Sequence, residues 1–175
     1  LGMEIHYFDL TDENGFEIEL TALETLLVEK RIEVLMFNDP VYCVGKKISN
    51  EVLEQLVSIC NRNQCMPFLD NTLGGLDWAV NYPQITEPDK LVILSKANKY
   101  LMVDSLTKRL LVNGLKHAVI YANDDLIELV EDMASRVYGG FCFPQLQFMM
   151  ELYQPANNVE VQYILNHNAR LINDN

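Results

Sequence analysis

The chain has 175 residues, 49% of them hydrophobic, a length and composition that suit one domain with a sizeable core and leave no room for two large ones. Its 25 acidic and 13 basic residues give a formal net charge of −12, which repels phosphate backbones and anionic lipids and argues against nucleic acid as a partner. No apolar run approaches the ~20 residues that a membrane-spanning helix needs, so no membrane partner is expected.

The amino-terminal part of the chain is predicted to contain two short extended segments and a helix. Residues 4–10 and 16–20 are the extended segments, and the dipeptide Asn14-Gly15 between them favours a tight turn. Thr21 is followed three residues later by a glutamate, the spacing of a capping box, which predicts that a helix begins there.

Strands and helices are then predicted to alternate along the chain. Short apolar runs bounded by turn residues predict buried strands near residues 33–38, 66–70, 91–94, 100–104 and 117–122. Apolar residues at helical spacing predict helices near residues 50–63, 123–137, 144–153 and 159–171. Residues 71–90 contain glycines and prolines and are predicted to form a long functional loop. The fold class is therefore α/β with a mainly parallel sheet.

Two groups of polar residues directly follow predicted strands. Asp70 comes at the end of one strand, and Ser105 and Lys108 come just after another. Ligands of parallel sheets bind at the carboxyl ends of the strands, so we expect these side chains to lie at one edge of the sheet.

The cysteines and histidines give no sign of a metal site or a disulfide framework. Cys43, Cys60, Cys65 and Cys142 lack CxxC spacing, which is typical of buried thiols in a reducing compartment. The three histidines have no ligand spacing either. With no recognisable amino-terminal leader, a cytoplasmic protein without a metal is expected.

Residues 37–49 read FNDPVYCVGKKIS, residues 66–73 read MPFLDNTL and residues 104–122 read DSLTKRLLVNGLKHAVIYA. These three segments resemble the class I and II aminotransferases, which are fold-type-I enzymes that depend on pyridoxal 5'-phosphate. FNDPVYCVGKKIS at residues 37–49 is similar to the family's strand, Asn-Pro, Asn-Pro-Thr-Gly and helix start. MPFLDNTL at 66–73 is similar to the strand that ends in Asp-Glu-x-Tyr. DSLTKRLLVNGLKHAVIYA at 104–122 is similar to the lysine signature and the strand after it. The order and spacing of the segments match the family over nearly the whole chain, and the resemblance implies that the last strand is antiparallel.

The resemblance implies a role for each of five residues. Lys108 would form the Schiff base with the aldehyde of the cofactor, because a lysine amine can act as both nucleophile and proton shuttle. Asp70 would face the pyridine nitrogen and keep it protonated, so that the ring accepts electrons from the α-carbon of the substrate. Ser105 would donate to the phosphate, and Lys116 stands at the place of the phosphate-binding arginine. Tyr42 stands at the place of the asparagine that contacts the ring hydroxyl.

The sequence departs from the family pattern at five signature positions, two of which are Cys43 and Val44 in place of the proline and threonine of Asn-Pro-Thr-Gly. Tyr42 replaces that asparagine, and Leu73 replaces the tyrosine that contacts the same hydroxyl. Lys116 supplies a charge but lacks the two-pronged hydrogen bonding of arginine. These departures predict that the acidity of the Schiff base is poorly tuned.

The resemblance also implies that residues 1–175 form a single, partial cofactor-binding domain. The family's phosphate loop and ring-stacking aromatic residue would lie upstream of it, and the small domain that holds the substrate carboxylate would lie downstream. A homodimer, or a partner chain that completes the domain, is therefore expected.

Three functions follow as hypotheses. The first is a pyridoxal-phosphate-dependent aminotransferase of amino-acid metabolism or biosynthesis, acting on amino acid and keto acid substrates and weak or inactive as this chain alone. The second is a non-catalytic homologue that serves as a binding or assembly module, which the departures favour. The third is a nucleotide-binding or receiver-like domain, which lacks support because no glycine-rich phosphate loop follows the first strand.

Overall fold

The computed structural model contains a four-stranded sheet with helices packed around it. It describes residues 2–42, 44–74, 88–112, 114, 117–139 and 143–173. The helices are α1 (Leu20–Lys30), α2 (Asn50–Arg62), α3 (Pro88–Leu94), α4 (Leu106–Arg109), α5 (Asp124–Tyr138), α6 (Phe143–Leu152) and α7 (Asn158–Asn173). The strands are β1 (Val34–Asn38), β2 (Met66–Asp70), β3 (Leu101–Asp104) and β4 (Val119–Ala122). Two short 3-10 turns lie at Asp12–Asn14 and Pro155–Asn157.

The sheet follows chain order, β1-β2-β3-β4, with three parallel strands and one antiparallel strand. In the register of β1 and β2, Leu35 pairs with Pro67 and Asn38 with Asp70. Strand β4 runs antiparallel to β3. The predicted α/β class, the mainly parallel sheet and the antiparallel last strand are confirmed.

One face of the sheet packs against α1, α2 and α3 to form the main core. Leu69 of β2 and Met102 of β3 point into it and are almost fully buried. Helix α2 contributes Leu53, Leu56, Val57, Ile59 and Cys60, all on the same side. Burial of one such leucine contributes roughly 1.5–3 kcal/mol relative to an exposed position, which explains why α2 forms where the apolar spacing predicts it.

Helix α5 begins and ends at the residues that the sequence indicates. Asn123 precedes it, but its side-chain oxygen accepts a hydrogen bond from Tyr100 N at 2.8 Å instead of capping the helix. This bond ties the start of α5 to the entry of β3. At the other end Gly139 adopts a left-handed φ of 67°, a conformation that glycine adopts without strain.

The strand predicted at residues 91–94 is wrong, because these residues belong to α3. Ile93 and Leu94 are buried against α2, while Val92 is exposed. A short helix that buries adjacent residues produces a continuous apolar run, and such a run looks like a buried strand in the sequence. The predicted 71–90 loop is also wrong at its end, because residues 88–90 belong to α3, and residues 75–87 lie outside the described residues.

The two extended segments predicted near the amino terminus form no strand within the described residues. Residues 4–10 run without regular hydrogen bonding, and the side chains of Ile5 and Tyr7 are exposed. The Asn14-Gly15 turn is instead the end of a 3-10 turn, with Gly15 at a φ of 66°. Helix α1 begins at Leu20, one residue before the predicted start, and includes the last residue of the second segment.

The second face of the sheet is less covered than the first. Val34 and Met36 of β1 point to this side and are 45% and 59% exposed. Their neighbours on the same face, Phe68 of β2 and Leu101 and Val103 of β3, are partly buried. We refer to these five residues as the open face.

Within the described residues, no helix combines the length and apolarity needed to cross a membrane.

Candidate functional site

The carboxyl ends of the three parallel strands bring the predicted site residues to one edge of the sheet. Asp70 ends β2 and pairs with Asn38 of β1 on one side and Val103 of β3 on the other. Ser105 follows β3 directly and is the residue from which α4 begins. Lys108 lies within α4, one turn after Ser105. The topology thus places all three at the same edge, while the chemical roles assigned to them remain predictions.

Asp70 is held in place by backbone interactions on both sides. Its side-chain Oδ1 accepts a hydrogen bond from Thr72 N at 3.0 Å, the local turn that aspartate favours at the end of a strand. Its backbone carbonyl accepts from Asp39 N at 3.1 Å, which extends the pairing of β1 and β2 past the last strand residue. The carboxylate is half-buried, so it remains within reach of a ligand at this edge.

The hydroxyl of Ser105 is used within the protein. It accepts from Thr107 N at 3.2 Å and so caps α4, and it donates to the carbonyl of His117 at 2.8 Å. The hydroxyl of Thr107 lies 2.9 Å away. A serine hydroxyl has one hydrogen, so a bond to a phosphate would replace the one to His117. The predicted phosphate contact of Ser105 stays a prediction.

The imidazole of His117 completes this arrangement from the other side. Its Nε2 accepts from Leu106 N at 3.2 Å, and its Nδ1 lies 3.3 Å from the hydroxyl of Thr107. An Nε2 that accepts places the proton of a neutral ring on Nδ1, which then donates to Thr107. The ring fixes the first turn of α4, and with it the position of Lys108.

The remaining predicted site residues have different surroundings. Lys108 and Tyr42 are both exposed, Tyr42 to 67%. Lys116 lies outside the described residues. Leu73 is partly buried beyond the end of β2. In the described part of the chain, no group of three or more His, Cys, Asp or Glu side chains is placed to hold a metal ion.

The sequence reasoning missed a buried ion pair beneath this edge. Asp104, the last residue of β3, accepts from the guanidinium of Arg109 at 2.5 Å, and both side chains are almost completely inaccessible to solvent. Arg109 also donates to the carbonyl of Gly74 and, at 3.4 Å, to that of Asn71. One side chain thereby connects β3, α4 and the segment after β2.

A second buried ion pair lies beside the ends of β1 and β2. Lys90 of α3 contacts Asp39 at 2.6 Å and donates to the side-chain oxygen of Asn71 at 3.0 Å. The other oxygen of Asp39 accepts from Ile48 N at 2.9 Å. Charged side chains buried in apolar surroundings persist only when paired and hydrogen-bonded, and both acidic groups meet that condition. The position of Asp104 at a strand end was visible in the sequence, but its partner was not.

Two tyrosines lie close enough to the Asp104–Arg109 pair to be influenced by its charges. Burial raises the pKa of Tyr153, and the negative charge of Asp104 raises it further. The pKa of Tyr121 is raised for the same two reasons. The hydroxyl of Tyr153 is itself buried and has no hydrogen-bond partner among the described residues.

Comparison with known proteins identifies the family. The family model for aminotransferase class I and II matches residues 1–167. The chain belongs to this family. The curated relatives include tyrosine aminotransferases. The enzyme from Bos taurus is 32% identical over 124 residues, which cover 71% of this chain and 26% of the relative. The enzyme from Homo sapiens has the same identity and the same coverage. The chain therefore spans about a quarter of the length of the curated relatives that it matches.

Solved structures share the fold of this aminotransferase-family chain. A PLP-dependent aminotransferase from Streptococcus suis superposes with a TM-score of 0.71 at 20% identity, over 95% of this chain and 40% of that one. A decarboxylase from Sulfurospirillum multivorans gives a TM-score of 0.73 at 12% identity, over 97% and 46% of the two chains. A C-S lyase from Staphylococcus hominis with bound PLP gives 0.59 at 18% identity, over 68% of this chain and 30% of the lyase. At these identities the likeness establishes the fold.

Removal of one member of the Asp104–Arg109 pair is expected to destabilise the protein strongly. Arg109→Met leaves a buried carboxylate without its partner, and we expect the free energy of unfolding in urea to fall by about 3–5 kcal/mol. Arg136→Met is the matched control, because its pair with Asp132 is exposed, and it is expected to cost less than about 1 kcal/mol. The double variant Asp104→Leu/Arg109→Met should recover part of the loss, and a single variant as stable as the control would contradict the buried pair.

Tyr153 is expected to make stability fall at alkaline pH. The pKa of Tyr153 is higher in the folded state than in the unfolded state. Its contribution to the free energy of unfolding is therefore complete below about pH 10, the ordinary tyrosine pKa, and is lost as the pH rises above that value. Tyr153→Phe should therefore lose less stability than the wild type in urea titrations above this pH. At neutral pH the variant should be about as stable as the wild type, because the hydroxyl has no described partner. Tyr163→Phe, at an exposed position, is the control and should follow the wild type.

Proposed function

We propose that this chain forms part of a pyridoxal-phosphate-dependent aminotransferase that transfers amino groups between amino acids and keto acids. The observation that supports this most is the position of Asp70 and Lys108 at the same sheet edge, in a chain of the aminotransferase family. The spacing of the four cysteines, which lacks a disulfide framework, favours a reducing compartment, and we place the activity in cytoplasmic amino-acid metabolism or biosynthesis.

The described residues fit the cofactor in part. Asp70 offers a half-buried carboxylate, and Lys108 offers an exposed amine. When bound, pyridoxal 5'-phosphate supplies an aldehyde that takes up an amino group and a ring that accepts electrons from the α-carbon. The fit is weaker for the phosphate, because the hydroxyl of Ser105 already donates to His117. We propose that Ser105 and Lys116 provide only part of the phosphate site.

Each of the two central residues has a distinct task in this proposal. The negative charge of Asp70 holds a proton on the pyridine nitrogen, and the bond from Thr72 N fixes the direction of the carboxylate. Lys108 would hold the aldehyde of the cofactor through its amine, and the same amine would move a proton at the α-carbon of the substrate. Ser105 caps α4 and the buried Arg109 anchors its end, so the backbone of Lys108 is fixed and only its side chain moves.

A second candidate function is a non-catalytic homologue that acts as a binding or assembly module. The specific observation in its favour is the closed hydrogen-bond arrangement of Ser105, Thr107 and His117, which stabilises α4 without any ligand. Tyr42 and Leu73, which replace polar contacts to the ring hydroxyl, also favour it. Covalent attachment of the cofactor separates the two candidates.

Lys108 is expected to be the residue that borohydride links to the cofactor. After incubation with pyridoxal 5'-phosphate and reduction, peptide mass spectrometry should find the label on Lys108 and no specific label in Lys108→Ala. Lys96→Ala is the control, because its exposed side chain pairs with Glu54 on the side of α2, and it should keep the label. Asp70→Ala should weaken cofactor binding about 10- to 100-fold, the loss of one charge-assisted hydrogen bond.

The labelling result decides between the two candidates. Specific reduction at Lys108 supports the enzyme. A label spread over the surface lysines, with Lys108→Ala labelled as strongly as the wild type, would contradict it and support the non-catalytic homologue.

The isolated chain is expected to have little or no transaminase activity. It spans about a quarter of its curated relatives, and Tyr42 and Leu73 leave the ring hydroxyl without its usual partners. Catalysis depends on positioning of the substrate, which a partial domain supplies poorly. A coupled assay with a panel of amino acids and keto acids should give rates at the level of Lys108→Ala, and turnover well above that background would refute this prediction.

We further propose that the open face is covered by a second copy of the chain or by a partner chain that completes the domain. Val34 and Met36 are large exposed apolar residues on a sheet surface, and such surfaces favour association. The matched relatives are about four times as long as the matched part, so a full-length member has further chain available to cover it.

Association of the isolated chain is expected to depend on the open face. Sedimentation should show a mass that increases with concentration, and Met36→Lys should shift the chain toward monomer by at least about tenfold in dissociation constant, because it places a charge in the contact. Val28→Lys on α1 is the control, since Val28 is 58% exposed but lies away from the open face. A monomer at all concentrations would refute a second copy of the chain as the cover of the open face.

A further inference from the structure

The turn that joins α2 to β2 brings two cysteines together. Cys65 N donates to the carbonyl of Cys60 at 2.9 Å, and Gln64 N donates to the carbonyl of Asn61 at 3.4 Å. Gln64 has a left-handed φ of 54°. This pattern is a Schellman ending, in which the third residue from the end of the helix contacts the second residue beyond its cap. Those two positions usually make an apolar contact, and here both are cysteines.

The two thiols are free and shielded from solvent. Cys60 is completely buried and Cys65 is 5% exposed. The neighbouring Cys60 side chain lowers the pKa of Cys65, and the backbone of Leu35 lowers it further. The neighbouring Cys65 side chain, together with burial, raises the pKa of Cys60. One sulfur is therefore the better nucleophile and the other lies beside it as its partner.

We propose that Cys60 and Cys65 form a reversible disulfide that closes the turn between α2 and β2. A disulfide needs Cα atoms about 4.4–6.8 Å apart and side chains that face each other. The Cys65 amide already donates to the Cys60 carbonyl at 2.9 Å, and a Schellman turn places these two positions where their side chains contact each other. The bond therefore forms with little movement of the backbone.

A low-molecular-weight disulfide such as oxidised glutathione is the oxidant in this proposal. The Cys65 thiolate attacks one of its sulfurs, forms a mixed disulfide and releases one glutathione thiolate. Cys60 then gives up its proton and attacks the sulfur of Cys65, forming the internal bond and releasing the second glutathione. The two cysteines lose two electrons and two protons, and one oxidised glutathione becomes two reduced ones.

The position of the pair determines what the disulfide does. It links the end of α2 to the start of β2, within the main core, and so holds the helix against the sheet. Asp70 lies at the opposite end of β2, roughly 16 Å along an extended strand. The proposal thus does not depend on the cofactor site, and failure of either leaves the other untouched. Burial makes the reaction slow, because it passes through local opening of the last turn of α2.

The test uses a background in which the other two cysteines are serine. Cys43→Ser/Cys142→Ser leaves Cys60 and Cys65 as the only cysteines of the four in the chain. The folded protein is equilibrated in glutathione buffers of increasing oxidation, and free thiols are then alkylated and counted by mass spectrometry. We expect both thiols to disappear together, with a mass lower by about 2 Da for the two hydrogen atoms lost. Peptide mapping of the unaltered chain should find the same Cys60–Cys65 bond.

The native geometry is tested by comparing folded protein with the same protein in urea. We expect the disulfide to form in the folded protein at a ratio of reduced to oxidised glutathione that is about tenfold or more higher than the ratio at which it forms in urea. We also expect the oxidised protein to melt at a higher temperature than the reduced protein. Cys60→Ala in the same background is the control and should show neither effect. Thiols that stay alkylatable in the folded protein at all ratios would overturn the proposal, and so would closure that is no easier in the folded state than in urea.

Discussion

The pairing of Asp104 with Arg109 is the interaction on which the carboxyl edge of the sheet depends. Asp104 ends β3 at a position with almost no access to water, where an unpaired carboxylate would cost several kcal/mol. Arg109 neutralises it and uses its other donors on the carbonyls of Gly74 and Asn71, beyond the end of β2. Because these contacts come from three separate segments, the edge is assembled only when the segments are folded together.

The buried contacts of Asp104 and Arg109 explain how the exposed side chain of Lys108 starts from a defined position. Helix α4 is only four residues long and would not be stable alone. It is held at its start by the hydroxyl of Ser105 and the ring of His117, and at its end by Arg109. Lys108 lies between these anchors, so its backbone is fixed while its amine reaches outward. On the other side, the pair of Asp39 and Lys90 supports the strand ends next to Asp70.

The two faces of the sheet are buried to different extents. The face toward α1, α2 and α3 has a complete core, which includes the Cys60–Cys65 contact. The open face has large apolar residues in contact with solvent at β1.

The sequence by itself determined the fold class, the mainly parallel sheet and the position of Asp70, Ser105 and Lys108 at or after strand ends, and the family resemblance added the antiparallel last strand. It could do so because apolar periodicity and the three family-like segments are local signals. Tertiary structure alone decided that residues 91–94 are helical, since their burial depends on contact with α2. It also decided that Arg109 is buried while Lys108 is exposed, although the two are adjacent and both basic. The reason is physical: a buried charge requires partners. Asp104 is only five residues from Arg109, but the carbonyls of Gly74 and Asn71 that complete its contacts come from a distant part of the chain, and so does Asp39, the partner of Lys90.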